Sequence, residues 1–366
     1  MTATQIAATT AAPVQQVLNS AVTGHGFPGM VAEVRRDGRR WFGAAGTAEY
    51  GTGRERLAEE QIRVGSITKT FTSTVILQLA AEYVLGLDDT VETWLPGLIR
   101  GNGHDGDRIT IRHLLSHRSG LFAYVLDADM LRRYSGPELL AHRFDRWRPQ
   151  ELVKISLSHP AEFEPGTDFS YSNTNFVLAG LIIEKATGMS CSDALDLRIL
   201  RPLGLESTYL AGKDTEFRGP HAHSYSKLTL QEADAPTHDV TELDATYGFA
   251  TGELISTTGD LSTFLGALLG GRLLPPAQLE EMLTMTRVPD GKWLDGHSYG
   301  LGLSSVELPN GTRVYGHGGM ITGNWSYLYG TRDGRQTAAM HVNGDWGCPP
   351  VDLFIETLNA AVQPDA

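Results

Sequence analysis

The order of strand-like and helical segments along the chain is the feature that most constrains its fold. Two strand patterns joined by a turn at Asp37-Gly38 stand near the start, and strand patterns return only after a mainly helical block from Ser66 to about Leu265. The strand patterns cover Met30–Arg35, Trp41–Thr47, Tyr299–Glu307, Arg313–Gly316, Trp325–Thr331 and Gln336–His341. The sequence therefore predicts one sheet built from both ends of the chain, with an α-helical insertion between them.

Length and composition indicate one large unit. A chain of 366 residues with 41% apolar content buries a substantial core, and we expect two lobes rather than independent domains. The expected division is a sheet lobe of residues 1–75 and 266–366 and a mainly helical lobe of residues 76–265. A net charge of −13 without a basic block disfavours nucleic acid and anionic membranes as partners.

The N-terminal segment does not have the pattern of a signal peptide. Residues 1–13 lack both a positive segment and a continuous apolar run, and no stretch of the chain approaches a membrane span. We therefore expect a cytoplasmic protein, or a secreted one whose signal peptide has been removed. The two cysteines, Cys191 and Cys348, suit a reducing compartment as free thiols.

The stretch from Ser66 to Lys69 places a hydroxyl and an amine three residues apart at the start of a long apolar helix. Residues i and i+3 share one helix face, so the Lys69 amine can reach the Ser66 hydroxyl. A serine needs an adjacent base to act as a nucleophile, and a lysine in apolar surroundings can lose its proton and serve. The pattern alone is weak evidence, because a surface serine and lysine on an amphipathic helix give the same spacing.

Two further motifs strengthen the prediction of a serine nucleophile. Tyr171-Ser172-Asn173 stands before an apolar helix, where the phenol can act as an acid or base if neighbouring cations lower its pKa and the amide can orient a substrate. The second is the glycine-rich run from Gly316 to Met320, which lets backbone approach a ligand closely. No phosphate-binding glycine motif is present, so nucleotide binding is set aside.

The other polar residues considered fit structural or solvent-exposed roles, and we expect no cofactor and no metal. His221 and His223 are two residues apart with no third ligand at a fixed spacing, so structural or solvent-facing roles are favoured. Asp88, Asp89 and Asp295 lack a partner carboxylate and fit solvated turns.

In this order, Ser66-x-x-Lys69, Tyr171-x-Asn173 and His317-Gly318-Gly319 resemble the three motifs of the serine penicillin-recognising superfamily. The resemblance covers almost the whole chain. It is strongest to actinomycete DD-carboxypeptidases and their relatives, the class C β-lactamases, β-lactamase-like esterases, D-amino-acid amidases, transacylases and penicillin-binding-protein-type thioesterases. It implies an α/β (α+β) fold in which an antiparallel sheet flanked by helices stands beside an all-α lobe, with the site in the cleft between them.

The resemblance also implies roles for individual residues. Ser66 would attack an ester, thioester or amide carbonyl, Lys69 and Tyr171 would manage its proton, and the backbone N–H groups of Ser66 and Met320 would hold the oxyanion. Asn173 would orient the acyl side, and His317 would tune Tyr171 or relay the proton of the leaving group. The remaining candidates for substrate contact are Gly318, Gly319, Tyr247, Ser304 and Trp325, although aromatic core is nearly as good an interpretation for Tyr247 and Trp325.

The sequence departs from the carboxypeptidase pattern at the residues that hold a substrate carboxylate. In those relatives the third motif carries two threonines, here replaced by Gly318 and Met320, and Ser304 aligns where an arginine assists them. Charge-assisted hydrogen bonds of this kind contribute about 1.5–3 kcal/mol each. We therefore expect neutral leaving groups to be preferred over a peptide that ends in D-Ala-D-Ala.

The function predicted from these observations is a serine acyl-enzyme hydrolase or transacylase of specialised metabolism. It would act on a small-molecule or peptide acyl donor, with water or an amine as the acceptor. A D-Ala-D-Ala carboxypeptidase or a D-specific amidase or peptidase is the alternative. A non-catalytic sensor of β-lactams or peptides is disfavoured, because a pure binder has no need for Ser66, Lys69 and Tyr171 together.

Overall fold

A computed structural model describes residue 6 and residues 8–229, 234–346 and 350–364 of the chain. It confirms the predicted fold class, a mixed α/β architecture in which an antiparallel sheet is flanked by helices. Cys191 is buried as a free thiol, whereas Cys348 lies outside the described residues.

Strands occur near both ends of the chain and, as short segments, within the helical block. The described strands are β1 (Gly29–Arg36), β2 (Arg39–Gly46), β3 (Ile62–Arg63), β4 (Arg100–Gly101), β5 (His104–Asp105), β6 (Tyr209–Leu210), β7 (Tyr225–Ser226), β8 (His238–Asp239), β9 (Leu254–Ser256), β10 (Thr286–Arg287), β11 (Ser298–Tyr299), β12 (Ser304–Glu307), β13 (Arg313–Ile321), β14 (Asn324–Gly330) and β15 (Gln336–Val342).

Helices fill the middle of the chain and close both ends. They are α1 (Ala8–Thr23), α2 (Thr68–Ala81), α3 (Val91–Trp94), α4 (Ile111–Leu115), α5 (Ala128–Tyr134), α6 (Leu139–His142), α7 (Pro149–Ser158), α8 (Asn173–Thr187), α9 (Cys191–Leu195), α10 (Arg201–Leu203), α11 (Thr258–Leu269), α12 (Pro276–Leu283) and α13 (Val351–Ala361). Short 3₁₀ turns at Gly65–Ile67, Tyr124–Leu126 and Thr246–Gly248 and a π-helical turn at Asp196–Leu200 complete the set.

The main sheet has eight strands in the order β10-β11-β12-β13-β14-β15-β1-β2, and every neighbouring pair is antiparallel. The two ends of the chain meet where β15 pairs with β1, with Met30 opposite Val342 and Arg36 opposite Gln336. This join places strands from the first and last parts of the chain in one sheet, as the order of sequence patterns predicted.

Alternating side chains divide the core between the two faces of the sheet. Tyr327 and Met340 belong to the cluster that packs with α1 and α13, whereas the neighbouring Leu328 and Ala339 belong to the cluster that contains α2 and α11. This division follows from the two-residue period of a strand, because successive side chains point to opposite faces.

Two strands differ from the sequence patterns. The predicted strand Tyr299–Glu307 is broken into β11 and β12 by a turn at Gly302, which has a φ of +81°. A Cβ on Gly302 would lie 1.8 Å from the Ser73 hydroxyl on α2, so the close approach of that helix requires glycine there. The predicted strand Arg313–Gly316 instead continues to Ile321, because β14 pairs with β13 along its full length.

Helix α2 lies in the centre of the molecule, and this position fixes the turn that precedes it. The ring of Phe71 stacks on Phe264 of α11 with centroids 3.5 Å apart and an interplanar angle of 13°, and both side chains are fully buried. The stack joins α2 to a helix that packs on the main sheet, so the residues at the start of α2 have a fixed position relative to β13.

Replacing Phe264 by alanine should lower the free energy of unfolding by about 3–5 kcal/mol, since it removes a buried ring and leaves a cavity against Phe71. Chemical denaturation measures this loss. The control is Leu57→Ala, at a side chain that is 49% exposed, which should change the stability by no more than about 0.5 kcal/mol. Similar losses in the two variants would show that the stack does not stabilise the fold.

Candidate active site

The structure places Ser66 and Lys69 in direct contact at the base of a cleft. Ser66 lies in the 3₁₀ turn that leads into α2, and Lys69 is on the first turn of that helix. The Lys69 Nζ lies 2.9 Å from the Ser66 Oγ and donates to the carbonyl oxygen of Thr251, also at 2.9 Å. These two contacts fix the amine next to the hydroxyl.

The surroundings of Lys69 favour its neutral form. The side chain is completely buried, no salt bridge to an acidic side chain reaches it in the described part of the chain, and its Nζ lies 5.1 Å from the centre of the Tyr171 ring. Burial holds the pKa of Lys69 well below its usual value, because the apolar surroundings penalise the ammonium ion. A neutral amine beside a hydroxyl can accept the hydroxyl proton.

Tyr171 closes the other side of Ser66. Its phenol lies close to Ser66, and its ring stacks on Trp293 with centroids 5.3 Å apart. Burial raises the pKa of the Tyr171 phenol, although its interaction with Ser66 acts in the opposite direction. No cation is among the causes of this shift, so the condition under which Tyr171 would act as a base is not met, and Tyr171 is a neutral phenol that can donate a proton.

His117 supports the segment that carries Tyr171. Its Nδ1 accepts hydrogen bonds from the Ser172 backbone N–H and from the Asn175 side-chain amide, both at 3.1 Å, and its ring lies 4.2 Å from that of Tyr171. Burial keeps the pKa of His117 well below its usual value, so the imidazole is neutral, with its proton on Nε2. His117 has a φ of +56°, a conformation that costs energy and persists because these contacts hold it.

His317 lies on β13 and contacts Tyr299. The Tyr299 hydroxyl is 2.9 Å from His317 Nε2, and His317 Nδ1 is hydrogen-bonded to the Gly318 carbonyl oxygen. Burial is the main cause that lowers the pKa of His317 to about 3. Both nitrogens of a neutral imidazole are thus engaged within the protein.

The backbone of β13 packs directly against the turn that carries Ser66. A Cβ on Gly319 would lie 2.0 Å from the Val64 carbonyl oxygen and 2.8 Å from the Ser66 backbone nitrogen, so this contact requires glycine. Ile321 pairs with Asn324 across a two-residue turn, and hydrogen-bonded pairs alternate along an antiparallel ladder. The N–H of Met320 therefore points away from β14, toward the side on which Ser66 lies.

Two cavities meet at Ser66. The inner cavity, of about 230 Å³, is mostly apolar and includes the stacked rings of Tyr134 and Tyr247. The outer cavity, of about 480 Å³, is lined by Tyr171, His317 and two tryptophans, Trp293 and Trp325. Val125, Leu126, Asn173 and Met320 line both cavities together with Ser66.

Nearly all the residues predicted for the site lie around these cavities. Asn173 starts α8, and its Oδ1 is buried without a hydrogen-bond partner. Ser304 does not reach the cleft: it is fully buried, and its hydroxyl contacts the Gly316 carbonyl oxygen at 3.1 Å and the Tyr329 hydroxyl at 2.7 Å. The prediction that Ser304 contacts substrate has no support in this geometry, because its side chain on β12 is buried against the neighbouring strands.

None of Tyr299, Trp293 and His117 was identified from the sequence as a site residue. Tyr299 and Trp293 come from the segment between α12 and β12, which lies outside all three motifs. No short pattern marks them, because their positions depend on how that segment folds over Tyr171. The only local signal for His117 is its place in the Ser-His-Arg-Ser-Gly segment, which does not indicate what the ring contacts.

Replacing His117 by alanine should lower the free energy of unfolding by about 2–6 kcal/mol, because two buried donors lose their acceptor, at about 1–3 kcal/mol each. His117→Asn is the matched variant, since asparagine tolerates a positive φ and offers an oxygen near the position of Nδ1. It should recover more than half of the loss in chemical denaturation. An asparagine variant no more stable than the alanine variant would show that the acceptor is unimportant.

The described residues contain neither a helix long and apolar enough to cross a membrane nor a group of three or more side chains arranged to hold a metal ion. His221 and His223 instead contact the Gly219 carbonyl oxygen and the Asp239 carboxylate, at 2.9 and 2.6 Å.

Comparison with known proteins gives consistent matches over nearly the whole chain. The family model described as Beta-lactamase matches residues 14–351. Penicillin-binding protein 4 of Amycolatopsis lactamdurans is 29% identical over 357 residues, which cover 94% of this chain and 88% of that protein.

Two solved structures superimpose closely. The D-stereospecific amidohydrolase from Streptomyces sp. gives a TM-score of 0.89 at 44% identity, over 97% of this chain and 99% of that one. The D-amino acid amidase from Ochrobactrum anthropi SV3, in complex with L-phenylalanine amide, gives a TM-score of 0.82 at 26% identity, over 96% and 98% of the two chains.

Proposed function

The chain belongs to the beta-lactamase family, whose relatives here are serine hydrolases, and from this premise we propose that it hydrolyses neutral amides and esters of D-amino acids through an acyl-enzyme on Ser66. The observation that carries the proposal is the buried Lys69 amine, 2.9 Å from the Ser66 hydroxyl, where two cavities meet. This arrangement supplies a nucleophile, its base and a space on each side of the attacked carbonyl.

In the first step Ser66 attacks the substrate carbonyl and its proton passes to the neutral Lys69 amine. The backbone N–H groups of Ser66 and Met320 stabilise the negative oxygen of the tetrahedral intermediate. Tyr171 donates its proton to the leaving nitrogen or oxygen as the carbon–heteroatom bond breaks, and the phenolate that remains takes up the proton held by Lys69.

In the second step water attacks the acyl-enzyme, the same groups accept and return its proton, and Ser66 is released as a hydroxyl. An amine in the position of the water would give a new amide by the same route. The proposed mechanism therefore allows acyl transfer to an amine as well as hydrolysis. His317 does not transfer a proton in this scheme, because both of its ring nitrogens are already hydrogen-bonded within the protein.

The two cavities would hold different parts of the substrate, the leaving group and the acyl group. The leaving group requires a proton donor, and Tyr171 lines only the outer cavity, so we place the leaving group there. The acyl group then occupies the inner cavity, where Asn173 can hold its polar atoms and the Tyr134 and Tyr247 rings can contact an apolar side chain. The two D-specific relatives support the D configuration of that group.

The described walls of the outer cavity offer little to hold a terminal carboxylate. Its lysine, Lys292, already pairs with Asp168 at 3.0 Å. A Cβ on Gly318 would lie 2.4 Å from the Tyr327 ring, so a threonine cannot stand there unless that ring moves. These features support neutral leaving groups over a peptide that ends in D-Ala-D-Ala.

The test is turnover of D-phenylalanine amide and methyl ester, their L enantiomers, a peptidyl-D-Ala-D-Ala acid and a penicillin, with intact-protein mass spectrometry to detect the acyl-enzyme. We expect the neutral D derivatives to be cleaved at least about tenfold better than the free acid, which corresponds to about 1.4 kcal/mol. Ser66→Ala should abolish turnover and every adduct. Faster release of D-Ala from the acid than cleavage of the matching ester would make the protein a carboxypeptidase, contrary to this proposal.

The pH dependence of kcat/KM should report the neutral Lys69 amine. Because burial lowers its pKa, the rate should fall only when the pH drops below that lowered value, so the acidic limb should lie well below the usual titration range of lysine. Tyr171→Phe should lower the plateau about 10²–10⁴-fold without moving the limb. A limb in the usual lysine range would show that Lys69 is charged in the free enzyme and is not the base.

The assignment of the two cavities predicts that a variant in the outer wall changes leaving-group preference and that a variant in the inner wall changes acyl preference. Trp325→Ala removes outer wall surface and should reduce discrimination between aromatic and methyl leaving groups about tenfold, as expected when roughly 50 Å² of apolar contact is lost. Leu131→Ala, in the inner wall, should instead change discrimination among acyl side chains. If Trp325→Ala alters acyl preference and Leu131→Ala alters leaving-group preference, the assignment is reversed.

A further inference from the structure

A third cavity, of about 650 Å³, lies far from Ser66 and shares no lining residue with the two cavities there. It lies where the β1–β2 hairpin, the β14–β15 turn and α11 come together. Gly330, at the end of β14 next to this groove, is five residues along the strand from Trp325 in the wall of the outer cavity. At 3.3 Å per residue the two positions are about 17 Å apart. The side chains that line it are mostly cationic or hydroxyl-bearing, namely Arg35, Asp37, Arg39, Arg40, Ser262, Thr263, Arg272, Arg335 and Thr337.

The charge of this groove is opposite to that of the protein. The chain carries a net charge of −13, yet five arginines and a single aspartate line the groove. Arg35 and Arg40 are neutralised in part by the buried Glu33, each at 2.8 Å, and Arg335 pairs with Asp37 at 2.6 Å.

Two of the arginines have no such partner. Arg39 and Arg272 are exposed, and within the described residues neither side chain makes a salt bridge or a hydrogen bond. By contrast, Arg35 is held rigidly, since it also donates to the Thr263 hydroxyl at 2.7 Å and to the Gly259 carbonyl oxygen at 2.8 Å. The groove therefore combines a fixed cationic wall with two guanidinium groups whose donors are unused.

Unused hydrogen-bonding capacity also lies in the buried part of the groove. Ser262 on α11 and Thr337 on β15 are each only 2% exposed, and neither hydroxyl has a hydrogen-bond partner. Buried hydroxyls are normally paired, so two unpaired ones in the lining of one cavity point to a ligand that would accept from them.

We propose that this groove binds a phosphate group, held by the guanidinium groups of Arg39 and Arg272 and by the hydroxyls of Ser262 and Thr337. The planar fork of arginine matches two oxygens of a phosphate, and hydroxyls donate to the remaining oxygens. A single phosphate fits a site whose basic surface is confined to one groove. The site does not depend on the function proposed for Ser66, because it shares no residue with that cleft.

The test measures binding of inorganic phosphate to the full chain at constant ionic strength, by titration calorimetry and by the shift in Tm. We expect saturable binding that weakens at least about tenfold in the Arg39→Gln/Arg272→Gln variant, because two charge-assisted contacts are lost. The matched control is Arg287→Gln/Arg313→Gln, which removes the same charge from two exposed arginines outside the groove and should bind as the wild type does. Ser262→Ala/Thr337→Val should also weaken binding, whereas Ser66→Ala should leave it unchanged.

A second arm identifies the source of the phosphate. Sedimentation with phosphatidylglycerol vesicles, but not with phosphatidylcholine vesicles, that is lost in Arg39→Gln/Arg272→Gln would identify a lipid headgroup. Binding of inorganic phosphate without sedimentation would identify a soluble phosphate compound. The proposal is overturned if the wild type binds neither probe saturably, or if the groove variant binds as tightly as the control variant.

Discussion

Burial of the Lys69 amine is the physical condition on which the rest of the site depends. An ammonium ion in an apolar interior is costly, so the amine gives up its proton and becomes a base next to Ser66. The burial requires α2 to run through the centre of the molecule, which the Phe71–Phe264 stack and the close contact at Gly302 secure. The hydrophobic core thus sets the chemistry of the amine as well as the stability of the fold.

Close backbone packing is the second constraint. The oxyanion site that we propose needs two N–H groups from separate elements, the Ser66 turn and β13, and side chains between them would hold the two apart. Gly65 and Gly319 remove that obstacle, because a Cβ on either would lie within 3 Å of backbone atoms of the facing element. The glycine-rich motif is therefore explained by contact between two parts of the protein itself, in addition to any contact with substrate.

A layer of neutral aromatic and imidazole rings supports the proton-transferring groups. His117 contacts Tyr171 and orders the backbone before α8, while Tyr299 joins His317 to the same layer. Burial favours the uncharged form of each of these groups. A layer of uncharged groups keeps the surroundings of Lys69 poorly polar, and this sustains the low pKa of the amine.

The sequence by itself determined the three motifs and the approximate positions of the main-sheet strands and of the helical block, because helical and strand periodicity and the i,i+3 spacing of Ser66 and Lys69 are local properties of the chain. It also predicted a sheet built from both ends. The tertiary structure alone decided that burial keeps Tyr171 protonated, that Ser304 faces the interior, and that Trp293, Tyr299 and His117 surround the site. Exposure, and contacts between residues 18 to 122 positions apart, arise only when the elements pack, so no local pattern could supply them.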